Sequence, residues 1–247
     1  MTAYPISAEF QVPVTHAIKF MVERGFVHIV VSDGTTPKGI LTEREILKAI
    51  SKSRNLNELT IEDVGWQPFI KLELGETVLD TAHLMTQNKS RLLVFDVDKL
   101  VGLSVPDLLR AFRKISTDVS LDRVISTNIE KCSRPNSVFD AAKIIHEKRI
   151  GSVIVHDVRE YGIFSERDLL MCLYSSGFKA DYEIRKYPSS PLIVSDKEIK
   201  IHQAANIMTA NNIKRLGITQ DGYLMGIVTA RDLLDAYHGV IQANPAE

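Results

Sequence analysis

Residues 162–170 read Gly-Ile-Phe-Ser-Glu-Arg-Asp-Leu-Leu: an apolar run opening on glycine, a hydroxyl, an acid three places later, and a second apolar run. The same sentence recurs as GILTEREIL from Gly39, GLSVPDLL from Gly102 and GIVTARDLL from Gly226. Its hydroxyls, Thr42, Ser104, Ser165 and Thr229, lie 62, 61 and 64 residues apart. Upstream of each comes a second signature with spacing i, i+3, i+4, i+7: Val14/Ala17/Ile18/Met21, Val78/Thr81/Ala82/Met85, Val138/Ala141/Ala142/Ile145 and Ile201/Ala204/Ala205/Met208. That spacing predicts the apolar stripe of an amphipathic helix, with small residues where it must lie close to a neighbour. Stripe and hydroxyl stay 28, 26, 27 and 28 residues apart, so two independent patterns recur in register and the chain reads as an internal repeat.

Between stripe and hydroxyl each repeat carries two short apolar runs. In the first these are His28–Val31 and Lys38–Leu41, around Asp33-Gly34; in the fourth, Leu216–Thr219 and Leu224–Val228, around Asp221-Gly222. Asp-Gly between two such runs predicts a β-hairpin. The third repeat has Ser152–Val155 and Tyr161–Phe164, and a helix follows its hydroxyl from Glu166. Each unit is therefore β-α-β-β-α, an α/β (α+β) fold of roughly 60 residues, which is marginal as a free-standing core, so the units should pair. Largely polar linkers at 51–58 and 174–186 join units within a pair, and 114–120 joins the pairs. The expected division is a first pair over 1–117, with repeats about 1–50 and 60–113, and a second over 118–247, with repeats about 121–173 and 185–240.

The bulk properties narrow the function. Thirty basic residues against 31 acidic ones give a net charge of -1, which offers no general field for nucleic acid or an anionic membrane. The apolar runs are of strand length, no secretory leader is visible at the start, and Cys132 and Cys172 lack metal or disulfide spacing. A cytoplasmic protein is expected. No HExxH, GxSxG, Walker or dinucleotide fingerprint is present, so neither a catalytic cofactor nor a metal is expected.

The pattern G-h-x-[ST]-x-x-D heading the second helix of this repeat resembles the CBS domain family, whose tandem pairs are Bateman modules. The resemblance covers essentially the whole chain, and its fourfold recurrence gives it specificity. Two modules in one chain are similar in layout to the gamma subunit of AMP-activated protein kinase, which implies a disc-like assembly of four units. The family implies a regulatory, non-catalytic protein that binds AMP first, with ADP or ATP as alternatives, in clefts between paired repeats. S-adenosylmethionine or NAD are the other ligands the resemblance brings, and a regulated partner protein and a homodimer are further expectations.

Two uses compete for the hydroxyl and the acid. They can form a capping box, in which each side chain bonds the other's backbone N–H. Alternatively, the helix N-terminus seats a phosphate, the hydroxyl adds a hydrogen bond and the acid accepts from ribose hydroxyls. Asp107, Asp168 and Asp232 leave room for a sugar; the longer Glu45 fits the capping role best. The second repeat departs from the pattern, being one residue short between Gly102 and Ser104 and carrying Pro106.

Basic residues precede the hairpin in two repeats, Ser90-Arg91 in the second and Lys214-Arg215 in the fourth; Phe26-Val27 and Ile150-Gly151 are read as their counterparts. By resemblance, Arg91, Lys214 and Arg215 meet the phosphates. Also by resemblance, the adenine slot is lined by the segment before the partner repeat's first helix. This sets Asp232 with Ser126 and Ile129, Asp168 with Pro191 and Leu192, and Thr42 and Glu45 with Phe69 and Ile70. A scaffold with degenerate clefts is the alternative to a sensor, and Glu45 and the shortened second repeat favour it.

Overall fold

The hairpin of the first repeat shows how the pattern becomes structure. A computed structural model describes residues 2–3, 7–73, 75–88, 92–96, 99–112, 115–133, 137–156, 161–184 and 190–243. After β1 (Thr2–Ala3) and β2 (Ser7–Glu9), α1 (Val14–Arg24) crosses over to β3 (His28–Asp33), which lies parallel to β2. Such a helical crossover is what a parallel pair needs. The chain then turns back into β4 (Thr36–Thr42), antiparallel to β3, and enters α2 (Glu43–Ser51) directly at the hydroxyl.

Short α3 (Ile61–Val64) lies in the linker, and the pattern repeats. The second repeat comprises β5 (Ile70–Glu73), α4 (Val78–Asn88), β6 (Leu92–Asp96), β7 (Lys99–Leu103) and α5 (Val105–Phe112). The third has β8 (Lys131–Ser133), α6 (Val138–Glu147), β9 (Ser152–His156), β10 (Tyr161–Ser165) and α7 (Glu166–Ser175). After β11 (Ser190–Pro191), the fourth has β12 (Val194–Asp196), α8 (Ile201–Ala210), β13 (Arg215–Gln220), β14 (Tyr223–Thr229) and α9 (Ala230–Ala243). In every repeat the first strand is parallel to the second and the second antiparallel to the third. At the tip of the fourth hairpin Asp221 and Gly222 both take positive φ, 52° and 80°, which a type I′ turn requires.

The helical stripes face inward. Val14, Ala17, Ile18 and Met21, and likewise Val138, Ala141, Ala142 and Ile145, and Ile201, Ala204, Ala205 and Met208, are all buried. In the second repeat Thr81, Ala82 and Met85 are buried, but Val78 is 45% exposed. The first stripe residue of the other three repeats gives its N–H to a crossing segment: Val14 to Leu59 O at 2.8 Å, Val138 to Tyr182 O at 2.8 Å and Ile201 to Val119 O at 3.1 Å.

Four short segments, each leading into a repeat, dock on the hairpin of another repeat. Two residues before each hydroxyl, Gln67 pairs with Ile40, Thr2 with Gly102, Ser190 with Ile163 and Ser126 with Ile227. The segments ahead of repeats 1 and 2 are thereby exchanged, and so are those ahead of repeats 3 and 4. Bare strand edges are avoided at four places by this means. Glycine makes the approach possible. A Cβ on Gly39 would stand 2.0 Å from Trp66 Cδ1 and one on Gly226 2.3 Å from Ile125 Cγ2, both too close for real atoms.

Packing cuts across the division at Thr117. One compact unit holds residues 5–68 and 130–191, the other 1–4, 69–129 and 192–247, so each combines one repeat from either half. In the first, α1 and α2 pack on α6 and α7 over a core that includes Ile46, Phe164 and Leu169. In the second, α9 packs on α4, α5 and α8, and Tyr237 stacks on Phe112 with ring centroids 5.7 Å apart. No helix among the described residues is long and apolar enough to cross a membrane.

Two outcomes are expected. Gly226→Ala should lower unfolding free energy by roughly 1–3 kcal/mol through the forced shift of the docked segment. Gly239→Ala, where an added Cβ meets nothing within 4 Å inside α9, should raise it by about 0.5–1 kcal/mol; denaturant titration reads both. Separately, burial pushes the Cys132 thiol up to about 11 and the Cys172 thiol up to about 12, with nearby Asp140 and Asp168 adding to it. A thiol reagent at pH 8 should label neither in the folded protein and both in denaturant.

Candidate functional site

Each site begins where the third strand of a repeat ends and its second helix starts. At Ser165 the strand's extended conformation (φ -107°, ψ 172°) turns into α7, leaving the first helical N–H groups open for a side chain to meet. Ser165 N and Oγ both donate to Asp168 Oδ2, at 2.7 and 2.5 Å, and Asp168 N returns a bond to Ser165 Oγ at 3.4 Å. Thr229 N donates to Asp232 Oδ2 at 2.7 Å, and Asp232 N to Thr229 Oγ1 at 3.3 Å. Thr42 N and Oγ1 donate to Glu45 Oε2 at 2.8 and 2.7 Å. Ser104 N and Oγ donate to Asp107 Oδ2 at 3.0 and 2.5 Å. The acid's half of the capping box, its bond from the backbone N–H of the hydroxyl residue, is thus made in all four repeats.

The repeats differ in what remains after capping. Glu45 and Thr42 are buried, 5% and 7% exposed, and their bonds close on each other. Asp107 spends its other oxygen, Oδ1, on Arg110 at 3.2 Å, and Arg110 also reaches Asn212 Oδ1 at 3.5 Å. Burial raises the Asp107 carboxyl, but the bonds from Ser104 outweigh it and hold the carboxyl below its ordinary value. That contribution to stability is present above the usual aspartate range and fades as pH falls through it. In Asp168 and Asp232 a single oxygen serves the cap, and Oδ1 takes no part in it.

Across the hairpin from three of the hydroxyls stands one further described residue, and directly opposed residues of an antiparallel pair share a face. Register places Arg215 opposite Thr229, Ser152 opposite Ser165 and His28 opposite Thr42. This corrects the counterparts of Lys214-Arg215 by one residue: they are Val27-His28 and Gly151-Ser152. The backbone confirms the register, since Ala230 N bonds Lys214 O at 2.9 Å and Glu166 N bonds Gly151 O at 3.1 Å. Sequence spacing could have found buried His28, which precedes Thr42 by the same 14 residues that separate Arg215 from Thr229. Arg91 lies outside the described residues.

The segments expected to flank the sites are placed as follows. Ser126 exchanges both backbone bonds with Ile227, each 2.9 Å, two residues before Thr229. Ile129 lies three residues further on, its N–H turned onto Thr127 O at 3.0 Å. Pro191 pairs with Gly162 ahead of Ser165. Leu192 is buried against Gly217 of the fourth repeat, where the chain is entering the parallel pairing of β12 with β13. Phe69 and Ile70, expected beside Thr42 and Glu45, follow the segment docked on the first hairpin. Trp66 and Gln67 lie against Gly39 and Ile40 of that hairpin, and Ile70 opens β5 opposite Leu92. Among the described residues no three His, Cys, Asp or Glu side chains gather in a metal-holding group.

The pattern of hydroxyl, acid and docked segment on four β-α-β-β-α repeats has a known counterpart. The CBS domain profile matches residues 1–52, 119–175 and 184–239, and the chain belongs to the CBS domain family. The second repeat, with its shortened strand end, falls outside the matched segments but has the same order of elements. The crystal structure of protein MJ1225 from Methanocaldococcus jannaschii, described as a candidate archaeal homolog of g-AMPK, superposes with TM-score 0.81 at 16% identity, covering 96% of this chain and 97% of that one. A conserved protein from Pyrococcus horikoshii superposes with TM-score 0.61 at 18% identity over 96% and 97% of the two chains. Both likenesses concern the fold. Among relatives in sequence, protein MJ1404 of M. jannaschii is 24% identical over 95% of this chain, and MK0525 of Methanopyrus kandleri 32% identical over 47%. The chain spans 60% and 61% of the lengths of these two relatives.

The different surroundings of the caps predict different losses. Glu45→Ala strands the buried donors of Thr42 and should cost about 1–3 kcal/mol, whereas Asp232→Ala removes an ordinary cap worth ~1 kcal/mol. Equal midpoints in urea for the two variants would contradict the distinction.

Proposed function

We propose that the protein is a non-catalytic regulatory sensor that binds adenine nucleotides, AMP first and ADP or ATP as alternatives, and passes their occupancy to a partner protein in the cytoplasm. The observation that carries this reading is the start of α9. Thr229 opens a 14-residue helix and stands directly opposite Arg215, with Lys214 next to it in the chain. Helix N-terminus, hydroxyl and guanidinium together suit a phosphate. Asp232 Oδ1, outside the cap, suits a ribose diol, and the docked backbone at Ser126 borders the place an adenine would take. The start of α7 has the same hydroxyl, acid and docked segment around Ser165, Asp168 and Pro191. Membership of the CBS family and a fold shared with a protein described as a g-AMPK homolog support the regulatory part of the reading.

A scaffold is the second reading, and the first two repeats favour it. Glu45 is buried in its own cap and Asp107 is bound on both oxygens, so Thr42, Glu45, Ser104 and Asp107 serve the fold in this reading. S-adenosylmethionine and NAD are the alternative ligands. A ligand regulates only through its differential affinity for two states of the protein.

Thermal unfolding with AMP, ADP, ATP, S-adenosylmethionine and NAD separates these readings. A ligand at 100 times its dissociation constant stabilises by ~2.7 kcal/mol. Asp232→Ala should weaken nucleotide binding about tenfold or more, and Glu45→Ala should leave it unchanged. No stabilisation by any of the five compounds would establish the scaffold instead.

A further inference from the structure

Helices α4 and α9 pack together within the unit formed by repeats 2 and 4, and two histidines meet across them. The rings of His83 and His238 stack with centroids 4.6 Å apart and planes 20° from parallel, and both residues are half-buried. The place is a meeting point built into the repeat. Counted from the helical stripe and from the cap hydroxyl, His83 and Gln87 stand where repeat 1 has Lys19 and Glu23, and His238 stands where repeat 3 has Tyr174. There Tyr174 Oη donates to Glu23 Oε1 at 2.7 Å across α1 and α7, and Lys19 Nζ lies 3.9 Å from Glu23 Oε1. Both units therefore bring side chains together at this position, but with different chemistry. One has a phenol, a carboxylate and an ammonium; the other has a pair of imidazoles.

We propose that His83 and His238 bind a divalent transition-metal ion of the zinc type, which ties repeat 2 to repeat 4. Imidazole nitrogen binds Zn²⁺ at ~2.0–2.1 Å, so two nitrogens sharing one ion lie at most about 4.2 Å apart. Centroids at 4.6 Å bring the ring edges within that reach. The rings lie face to face, and the broad, two-fold χ2 torsion of histidine lets each turn a nitrogen toward a shared ion. Every imidazole has two nitrogens, so one can hold the ion while the other makes the hydrogen bond that normally orients a metal-bound histidine. The described residues bring no third His, Cys, Asp or Glu into a metal-holding group, so water completes the shell, and half-burial leaves it room. The two ligands are 155 residues apart in the chain, which is why no spacing motif announces them. Neither is among the residues assigned to the nucleotide, so the site stands apart from that reading.

Titration calorimetry of the full chain with Zn²⁺, and thermal unfolding with and without it, test this. The unmodified chain should bind one ion at this pair and unfold at a higher temperature in its presence, because a ligand of the folded state stabilises that state. His83→Phe and His238→Phe keep a ring in the stack and remove the nitrogens. Each should weaken the site about a hundredfold, since altering only the outer-shell partners of a ligand already costs about 10–100-fold. The double variant should bind no more weakly than either single one, as expected when both groups act on one ion. His146→Ala, which removes an imidazole from α6, should change nothing, and Mg²⁺, which demands oxygen ligands, should give no heat. Cooperative unfolding of the variants without Zn²⁺ verifies their fold. Unchanged Zn²⁺ affinity in both phenylalanine variants, or no Zn²⁺ binding by the unmodified chain, would overturn the proposal and leave nucleotide binding, measured separately, untouched.

Discussion

A strand edge with open N–H and C=O groups must be covered, and in this protein it is covered by a piece of another repeat. The docked residues Gln67, Thr2, Ser190 and Ser126 all meet the third strand two places before its hydroxyl. Everything local to the candidate sites follows from that seat. The strand can accept a neighbour so closely because Gly39 and Gly226 have no side chain where Trp66 and Ile125 lie. The hydroxyl then falls at the last extended residue, the acid one helical turn on, and the residue opposite is fixed by pairing. Cap, docked segment and facing residue are therefore one construction, not three coincidences of sequence.

Capping and ligand binding are usually weighed as rivals, but the geometry lets one carboxylate do both. A cap occupies one oxygen of Asp168 or Asp232 and orients the other. Preorganisation of this kind spares a binding group the entropy of finding its rotamer. Glu45 shows the other outcome, where the additional methylene carries the acid into a buried, self-contained bond. Asp107 shows a third, in which an arginine one turn along the helix takes the second oxygen. The same four-residue pattern thus yields three environments, and the difference lies in neighbours rather than in the pattern.

Much of the architecture was legible in the residues because it is periodic. The helical stripes are inside, except exposed Val78, and the Asp221-Gly222 hairpin turns where the dipeptide says it should. Less was legible where partners are chosen among four similar units. Helix packing joins the first repeat to the third and the second to the fourth, and nothing in a local pattern says which copy a stripe will meet. The docking of Gln67 on Ile40 has no side-chain signature, because backbone pairing sets its position. The counterparts of Arg215 were missed by one residue since alignment on the apolar runs ignores the register that pairs His28 with Thr42 and Ser152 with Ser165.

Because Thr2 and Ala3 lie on β7, the integrity of the second repeat depends on amino acids synthesised before any part of it. Trimming them would uncover hydrogen-bonding groups at Val101 and Gly102 rather than anywhere in the repeat they precede. Damage at one place in the polypeptide is felt about a hundred residues away, and an open edge of that kind can be filled as readily by the corresponding segment of another molecule.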